Sequence, residues 1–259
     1  MSTLRVTQAR VVRSEWTKFR SLRSTLGTLG LAVVMMVGLS APFSAITAVQ
    51  AGGFKPGETA LTTSLGSALF AQLAVGVLGV LMISGEYGTG SIRSSLTAVP
   101  KRLPMLWGKL AVFAGAVLTT MLVATFLSFF AGQALLGRTG MSVPLSDPAA
   151  LRSIVGAALY LTVVGLTGLA LGALFRNTAA AISTLVVVFF VLPPLTLLLP
   201  AAWAAHFVQY LPSVAGGRLF SGTLGVTDPL PPWTGFGLMC AYATVLIGLA
   251  AWRLRRVDA

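Results

Sequence analysis

The residues with the most informative spacing form a short amphipathic pattern between the second and third apolar runs of the chain. Ser91 is a residue type that caps helices, and Ile92, Leu96 and Val99 follow at intervals of four and three residues. Pro100 then ends the pattern, because proline cannot continue a helix backbone without losing a hydrogen bond. The spacing therefore predicts a short helix with one apolar ridge.

Charged side chains surround this ridge. Glu86 precedes it, Arg93 lies within it, and Lys101 and Arg102 follow it. An apolar ridge with charged groups at its rim is suited to docking into a groove of another protein. The chemistry that these residues predict is recognition of a partner.

Catalytic constellations are not found in the sequence. His206 is the only histidine, so a helix with two zinc-binding histidines is excluded. The pair Gly108 and Lys109 is followed by Leu110 and lacks the upstream glycine of a phosphate-binding loop. We therefore expect a non-catalytic chain that holds no cofactor or metal of its own.

The composition places these residues in a membrane protein. The 259 residues are 56% hydrophobic and only 9% charged, and the mean hydropathy is +0.88, whereas soluble domains carry about 25% charged residues. Six apolar runs are each long enough for the ~20 helical residues that cross a bilayer. They cover approximately residues 25–49, 63–83, 109–136, 153–175, 178–199 and 232–252. The sequence predicts an all-α integral membrane protein with six transmembrane helices.

The basic residues predict its orientation. All but four of the 18 Lys and Arg residues flank the runs on the side of the N-terminus, and the four at the opposite side are Lys55, Arg138, Arg152 and Arg218. Because cytoplasmic loops are rich in Lys and Arg, both termini are expected in the cytoplasm. We expect one transmembrane domain, 1–259, with a cytoplasmic loop at 84–108 and an extracytoplasmic segment at 200–231 that contains a short re-entrant or surface helix.

The first 24 residues predict an amphipathic helix at the membrane surface. Val12, Trp16 and Phe19 recur with helical spacing among basic residues. Glu15 interrupts this stripe, so a basic tail that only sets the topology is the alternative. Farther on, Pro193 and Pro194 are expected to kink or end the fifth helix.

In these features the chain resembles the permease subunits of bacterial type-2 ABC exporters. The resemblance rests on "SEWTKFRSLRST" before the first span, "GEYGTGSIRSSLTAVPKR" after the second, "FRNTAAA" between the fourth and fifth, and the six-span layout. It implies that residues 84–106 form a coupling helix that contacts a separate ATPase. The residues that this role would use are Glu86, Ser91, Ile92, Arg93, Leu96, Pro100 and Arg102. A second, smaller contact would use Arg176, Asn177 and Thr178, and Trp16 and Phe19 would belong to an elbow helix.

The resemblance also implies the partners. ATP and magnesium would bind to an ATP-binding cassette subunit, and a second permease copy or a related permease would complete a dimer in the cell membrane. The substrate would be a hydrophobic or amphipathic drug, lipid or peptide, and no nucleic acid is expected.

Two other functions fit a six-span chain. An ion-coupled secondary carrier usually has ionisable residues inside its spans, and a non-transport membrane scaffold needs no ATPase. Neutral polar residues within the spans would line a pathway or bond across helices. These residues are Gln72, Thr125, Ser128 and Gln133.

Overall fold

The computed structural model describes residues 8–49, 56–88, 102–198, 200, 207–221 and 230–256, and their regular structure is helical, without strands. The described part of the first half contains five α-helices. They are α1 (Gln8–Ser21), α2 (Arg23–Val49), α3 (Pro56–Leu65), α4 (Ala68–Gly88) and α5 (Arg102–Leu136). The described part of the second half contains five more. They are α6 (Pro148–Phe175), α7 (Thr178–Val186), α8 (Leu192–Leu195), α9 (Pro212–Gly217) and α10 (Pro232–Arg256).

Six helical stretches in the described part of the chain are long and apolar enough to cross a membrane, as predicted. They are Arg23–Val49, Thr59–Tyr87, Leu103–Leu136, Pro148–Phe175, Thr178–Leu195 and Pro232–Arg256. Several extend beyond the apolar runs. Helix α5 begins at Arg102. Pro104 does not interrupt it, because proline is tolerated in the first turn of a helix. Helix α6 begins after Asp147, whose side chain accepts a hydrogen bond from the Ala149 amide at 2.8 Å.

Helices α4 and α6 form the centre of the bundle, and glycines allow them to approach closely. A Cβ atom at Gly79 would lie 2.0 Å from the carbonyl oxygen of Gly165, and one at Gly168 would lie 2.2 Å from that of Gly76. Such contacts cannot accommodate a side chain. The small residues of these helices therefore serve packing within one chain.

The second span is broken where α3 passes into α4, at Gly66 and Ser67. A break leaves backbone groups without their helical partners, which is costly inside a bilayer unless other groups replace them. Here the hydroxyl of Ser128 on α5 lies 2.8 Å from the carbonyl oxygen of Ser64 and 3.0 Å from that of Met36. Ser67 also donates to the Met36 carbonyl, at 2.7 Å. We call Ser64, Ser67, Ser128 and the Met36 carbonyl the hydroxyl cluster.

The fifth span loses its regular α-helical pattern one turn before the two prolines. A π-helical turn, Val187–Val191, separates α7 from α8, which contains Pro193 and Pro194. The prolines have no N–H to offer to the carbonyl groups of the preceding turn, and the pattern changes in that turn.

The segment before α10 contains the short helix expected from the sequence. Helix α9 packs between α6 and α10, where a Cβ atom at Gly216 would lie 2.1 Å from Met239 Sδ and 2.8 Å from the Tyr160 ring. A Cβ atom at Gly235 would lie 2.4 Å from the Ala215 carbonyl oxygen. This helix is therefore buried against two spanning helices.

Candidate functional site at the charged end of the bundle

Four charged side chains from three helices meet at one end of the bundle, and we call them the ion cluster. Lys109 Nζ on α5 lies 2.6 Å from Glu15 Oε2 on α1 and 2.7 Å from Glu86 Oε1 on α4. Lys18 Nζ lies 2.9 Å from Glu15 Oε1 and 3.4 Å from Glu86 Oε1. Two carboxylates and two ammonium groups balance each other, so the cluster has no net charge.

The ion cluster is largely shielded from solvent. The side chains of Lys109 and Glu15 are 1% and 3% exposed, while those of Glu86 and Lys18 are 16% and 38% exposed. Charges buried to this degree persist only when they are paired and hydrogen-bonded. Glu86 Oε2 is buried and accepts no hydrogen bond among the described residues. Acceptor capacity thus remains where the chain leaves α4.

Helix α1 is held against α5 by apolar contacts beside these charges. Its buried stripe consists of Val11, Glu15 and Phe19. Gly108 makes room for it, because a Cβ atom there would lie 3.0 Å from Val11 Cγ1. Gln8 Nε2 also donates to the Pro104 carbonyl at 3.1 Å. The ion cluster thus joins α1 to the base of two spanning helices.

The three residues of the predicted stripe on α1 differ in burial. Phe19 is buried, Val12 is partly buried, and Trp16 is 47% exposed with its ring stacked on Phe19. Glu15 occupies the buried position instead, because Lys109 neutralises its charge. The location of α1 at a membrane surface stays a prediction.

The turn between α6 and α7 lies at the same end. Arg176 ends α6 in a left-handed conformation with φ 55°, and its guanidinium lies 5.2 Å from the centre of the Tyr87 ring. Asn177 caps α7 by accepting from the Ala180 amide at 3.0 Å. Thr178 donates to Ser84 on α4 at 2.9 Å. The second predicted contact is therefore tethered to the end of α4.

Arg253 on α10 reaches the same region and donates to the carbonyl of Leu174 in the last turn of α6. A cation there satisfies a carbonyl that the helix leaves without a partner. Helices α1, α4, α5, α6, α7 and α10 thus all contribute to this end of the molecule.

Most of the predicted coupling segment lies outside the described residues. Five of the predicted coupling residues are outside the described part of the chain: Ser91, Ile92, Arg93, Leu96 and Pro100. Glu86 lies in the last turns of α4, and Arg102 is the first residue of α5. The predicted loop of 84–108 thus lies partly in the described ends of these two helices and partly outside the described residues. The coupling role of these residues stays a prediction.

The predicted pathway residues are engaged in contacts between or within helices. Gln72 accepts a hydrogen bond from Tyr160 on α6, and Thr125 donates to the Leu122 carbonyl of its own helix at 3.0 Å. Ser128 belongs to the hydroxyl cluster, and Gln133 donates to Ser64 Oγ at 3.2 Å. In this conformation their polar groups stabilise the bundle, and a role in a pathway stays a prediction.

Sequence reasoning missed the ion cluster. It treated Lys109 as the boundary of a span, whereas Lys109 lies inside α5, about 10 Å from the start of that helix. It interpreted Glu15 as a charged residue that interrupts the apolar stripe of the first helix. A signal was available, because Glu15 lies between Arg13 and Lys18, and Glu86 and Lys109 lie at the two ends of the segment between the second and third apolar runs.

Within the described ranges, no group of three or more His, Cys, Asp or Glu residues could hold a metal ion. No model of a known protein family matches the sequence, and no curated protein matches it. The fold nevertheless defines the class: the chain is an all-helical, multi-pass membrane protein.

Proposed function

We propose that this chain is the membrane-spanning permease subunit of an ATP-binding cassette exporter. It would move a hydrophobic or amphipathic substrate, with ATP and magnesium bound by a separate ATPase subunit and a second permease copy or related permease beside it. The charged end would face the cytoplasm of a cell, with both termini there, because it carries most of the basic residues.

The observation that carries this proposal is the ion pair between Glu86 and Lys109, at 2.7 Å. These two residues flank the predicted amphipathic helix that begins at Ser91 and ends before Pro100. Any displacement of that segment would therefore act on α4 and α5 together, since their ends are joined. Through Glu15 the same displacement would reach α1. A linkage of this kind would allow the two states of a partner to bias the arrangement of α1, α4 and α5.

The turn at Arg176 supports the same proposal. It would offer a second contact to the ATPase, and the hydrogen bond from Thr178 to Ser84 would link it to the first. Closure of the ATPase would then move the second, third, fourth and fifth spans as connected elements. Work would enter this chain as a change in the relative stability of its conformations.

One observation favours an ion-coupled carrier as the second candidate. Lys109 is a buried ionisable residue inside a helix that could span the membrane, and such residues often mark ion pathways. However, the rest of α5, from Leu110 to Leu136, contains no charged residue. The ion cluster therefore has no charged continuation along α5 toward the opposite end, and we rank this function second.

The decisive test replaces the predicted ridge. The variant Ile92→Asp/Leu96→Asp places two charges on the apolar face and should abolish co-purification with a co-expressed ATPase subunit and the stimulation of its ATP hydrolysis. The matched control, Ser94→Asp/Thr97→Asp, adds the same charge to the opposite face of the predicted helix and should leave both intact.

Correct folding of both variants is checked by their helical content and elution volume in detergent. Equal association of the two variants with the ATPase would refute the coupling role. Transport by the chain alone, driven by an ion gradient in vesicles, would favour the second candidate.

A further inference from the structure

The side of α1 that faces away from the bundle carries two arginines. Val11, Glu15 and Phe19 form the buried side of this helix, and successive residues of a helix are rotated by about 100°. Arg13 and Arg20 therefore lie on the side roughly opposite Glu15. Both residues are exposed, and their guanidinium groups form no hydrogen bond or ion pair with other described residues.

An apolar flank of α1 lies between the arginines and the buried side. Going round the helix from Phe19, the next residues are Val12, which is partly buried, Trp16, whose ring is exposed, and then Arg20. The other flank is polar and includes the exposed Ser14. An exposed tryptophan ring beside charged groups is typical of side chains at the depth of lipid headgroups.

The connection to the first span sets the depth of this surface. Only Leu22 separates α1 from α2, which begins at Arg23 and is long and apolar enough to cross a membrane. Leu22 and Leu26, one turn into α2, both have exposed side chains. Helix α1 therefore lies within a few residues of the point where the first span leaves the apolar layer.

The charge at this end of the chain is strongly positive over the whole sequence. All but four of the 18 Lys and Arg residues flank the spans on this side, but only three of the six acidic residues do so. These three are Glu15, Glu86 and Asp258, and the first two are already bonded to lysines in the ion cluster. The surface around α1 would therefore attract anions.

We propose that Arg13, Arg20 and Trp16 bind the headgroups of anionic phospholipids. The guanidinium groups would donate to phosphate oxygens, whose geometry matches their paired N–H groups, and the ring of Trp16 would lie at headgroup depth. A location at the membrane surface would not by itself select a lipid by its charge. The surplus of positive charge would favour lipids with a net negative charge over zwitterionic ones. This surface belongs to the chain alone and does not depend on an ATPase partner.

The experiment places the full chain in nanodiscs with equal amounts of phosphatidylglycerol and phosphatidylcholine, of which only one has brominated acyl chains. Bromine quenches nearby tryptophan fluorescence, and the difference between the wild type and Trp16→Phe isolates the signal of Trp16. Brominated phosphatidylglycerol should quench this signal more than brominated phosphatidylcholine, and higher ionic strength should reduce the difference. An arginine near an anionic surface contributes a roughly five-fold gain in affinity, so the difference should largely disappear in Arg13→Gln/Arg20→Gln.

The matched control is Arg255→Gln/Arg256→Gln, which removes two exposed arginines from α10 at the same end and should keep the preference. Circular dichroism checks that all variants fold. Equal quenching by the two lipids in the wild type would overturn the proposal, and so would a preference that survives in Arg13→Gln/Arg20→Gln. An equal loss in the control would show general attraction by the charged end instead of a surface on α1. Weak quenching by both lipids would show that Trp16 faces water or another protein, which also contradicts lipid binding.

Discussion

The ion cluster and the hydroxyl cluster are two polar sites inside the same apolar bundle, and they are built differently. The ion cluster uses four full charges near the ends of α4 and α5 and joins the non-spanning helix α1 to them. The hydroxyl cluster uses neutral groups to join α2, the break between α3 and α4, and α5. The ion cluster holds α1 against the spanning helices, and the hydroxyl cluster provides hydrogen-bond partners where the second span is broken.

The difference follows from the cost of burial. A charge removed from water is stabilised only by a close opposite charge, whereas a hydroxyl group needs one acceptor. Full charges are therefore used where the chain is close to an end of the bundle, and hydroxyl groups where a helix breaks within it. Removing one member of the ion cluster should consequently be far more damaging than removing one hydroxyl group.

The largest effect is expected for Lys109→Met. This change removes the buried cation that contacts Glu15 and Glu86, and within the ion cluster it leaves them only Lys18, which is 38% exposed. Breaking a buried ion pair by removing one partner typically costs about 3–5 kcal/mol. Thermal unfolding in detergent should show this loss, and protease should cleave near Ser21 more rapidly as α1 detaches.

Two further variants separate charge from packing at this position. Lys109→Arg keeps the charge and should retain most of the stability. The triple variant Glu15→Gln/Glu86→Gln/Lys109→Met removes all three charges and should be more stable than Lys109→Met alone. A triple variant that is less stable than the single one would show that the charges are not the source of the effect.

A smaller effect is expected for Ser128→Ala in the hydroxyl cluster. The hydroxyl of Ser128 bridges the carbonyl groups of Met36 and Ser64, and hydrogen bonds between membrane helices contribute about 0.6–1.7 kcal/mol. The free energy of unfolding in mixed micelles should fall by about 1 kcal/mol. Thr119→Ala is the control, because Thr119 bonds only within α5 in the described structure. An equal loss for the two variants would contradict a bridging role for Ser128.

The spans could be predicted because hydrophobicity over twenty residues depends little on tertiary structure. The runs 25–49 and 232–252 lie within α2 and α10. The helix ends could not be predicted so well, because a helix continues beyond its apolar part when local groups support it. Asp147 extends α6 to Pro148 in this way, by capping its first turn.

The ion cluster could not be derived from the sequence because its members are distant in the chain. Lys109 Nζ contacts a carboxylate 94 residues away in Glu15, and no local pattern reports such a pairing. When only the neighbouring sequence is considered, each of these charged residues resembles one that sets the membrane topology. The turn at Arg176 was recognised because its residues are consecutive, although its tether to Ser84 was not.

The smallest effect in the ion cluster is expected for Lys18→Met. The Lys18 side chain is 38% exposed, so solvent screens its interaction with Glu15 and Glu86, and Lys109 remains to neutralise them. Exposed ion pairs contribute about 0.2–1 kcal/mol, well below the loss expected for Lys109→Met. Equal losses for the two lysine variants, measured by thermal unfolding, would contradict the difference in burial between them.

The pH dependence of this small effect has a definite sign. Burial acts to lower the pKa of Lys18, but the hydrogen bond and charge of Glu15, with a contribution from Glu86, outweigh it and raise the pKa above 10.5. Because the pKa is higher in the folded state, the stabilisation is complete below the unfolded value and is lost as the pH rises through the folded one. The unfolding temperatures of the wild type and Lys18→Met should therefore differ at about pH 8 and converge only in strongly alkaline solution. A difference that persists there would mean that the methylene groups of Lys18, through their packing, stabilise α1 more than its charge does.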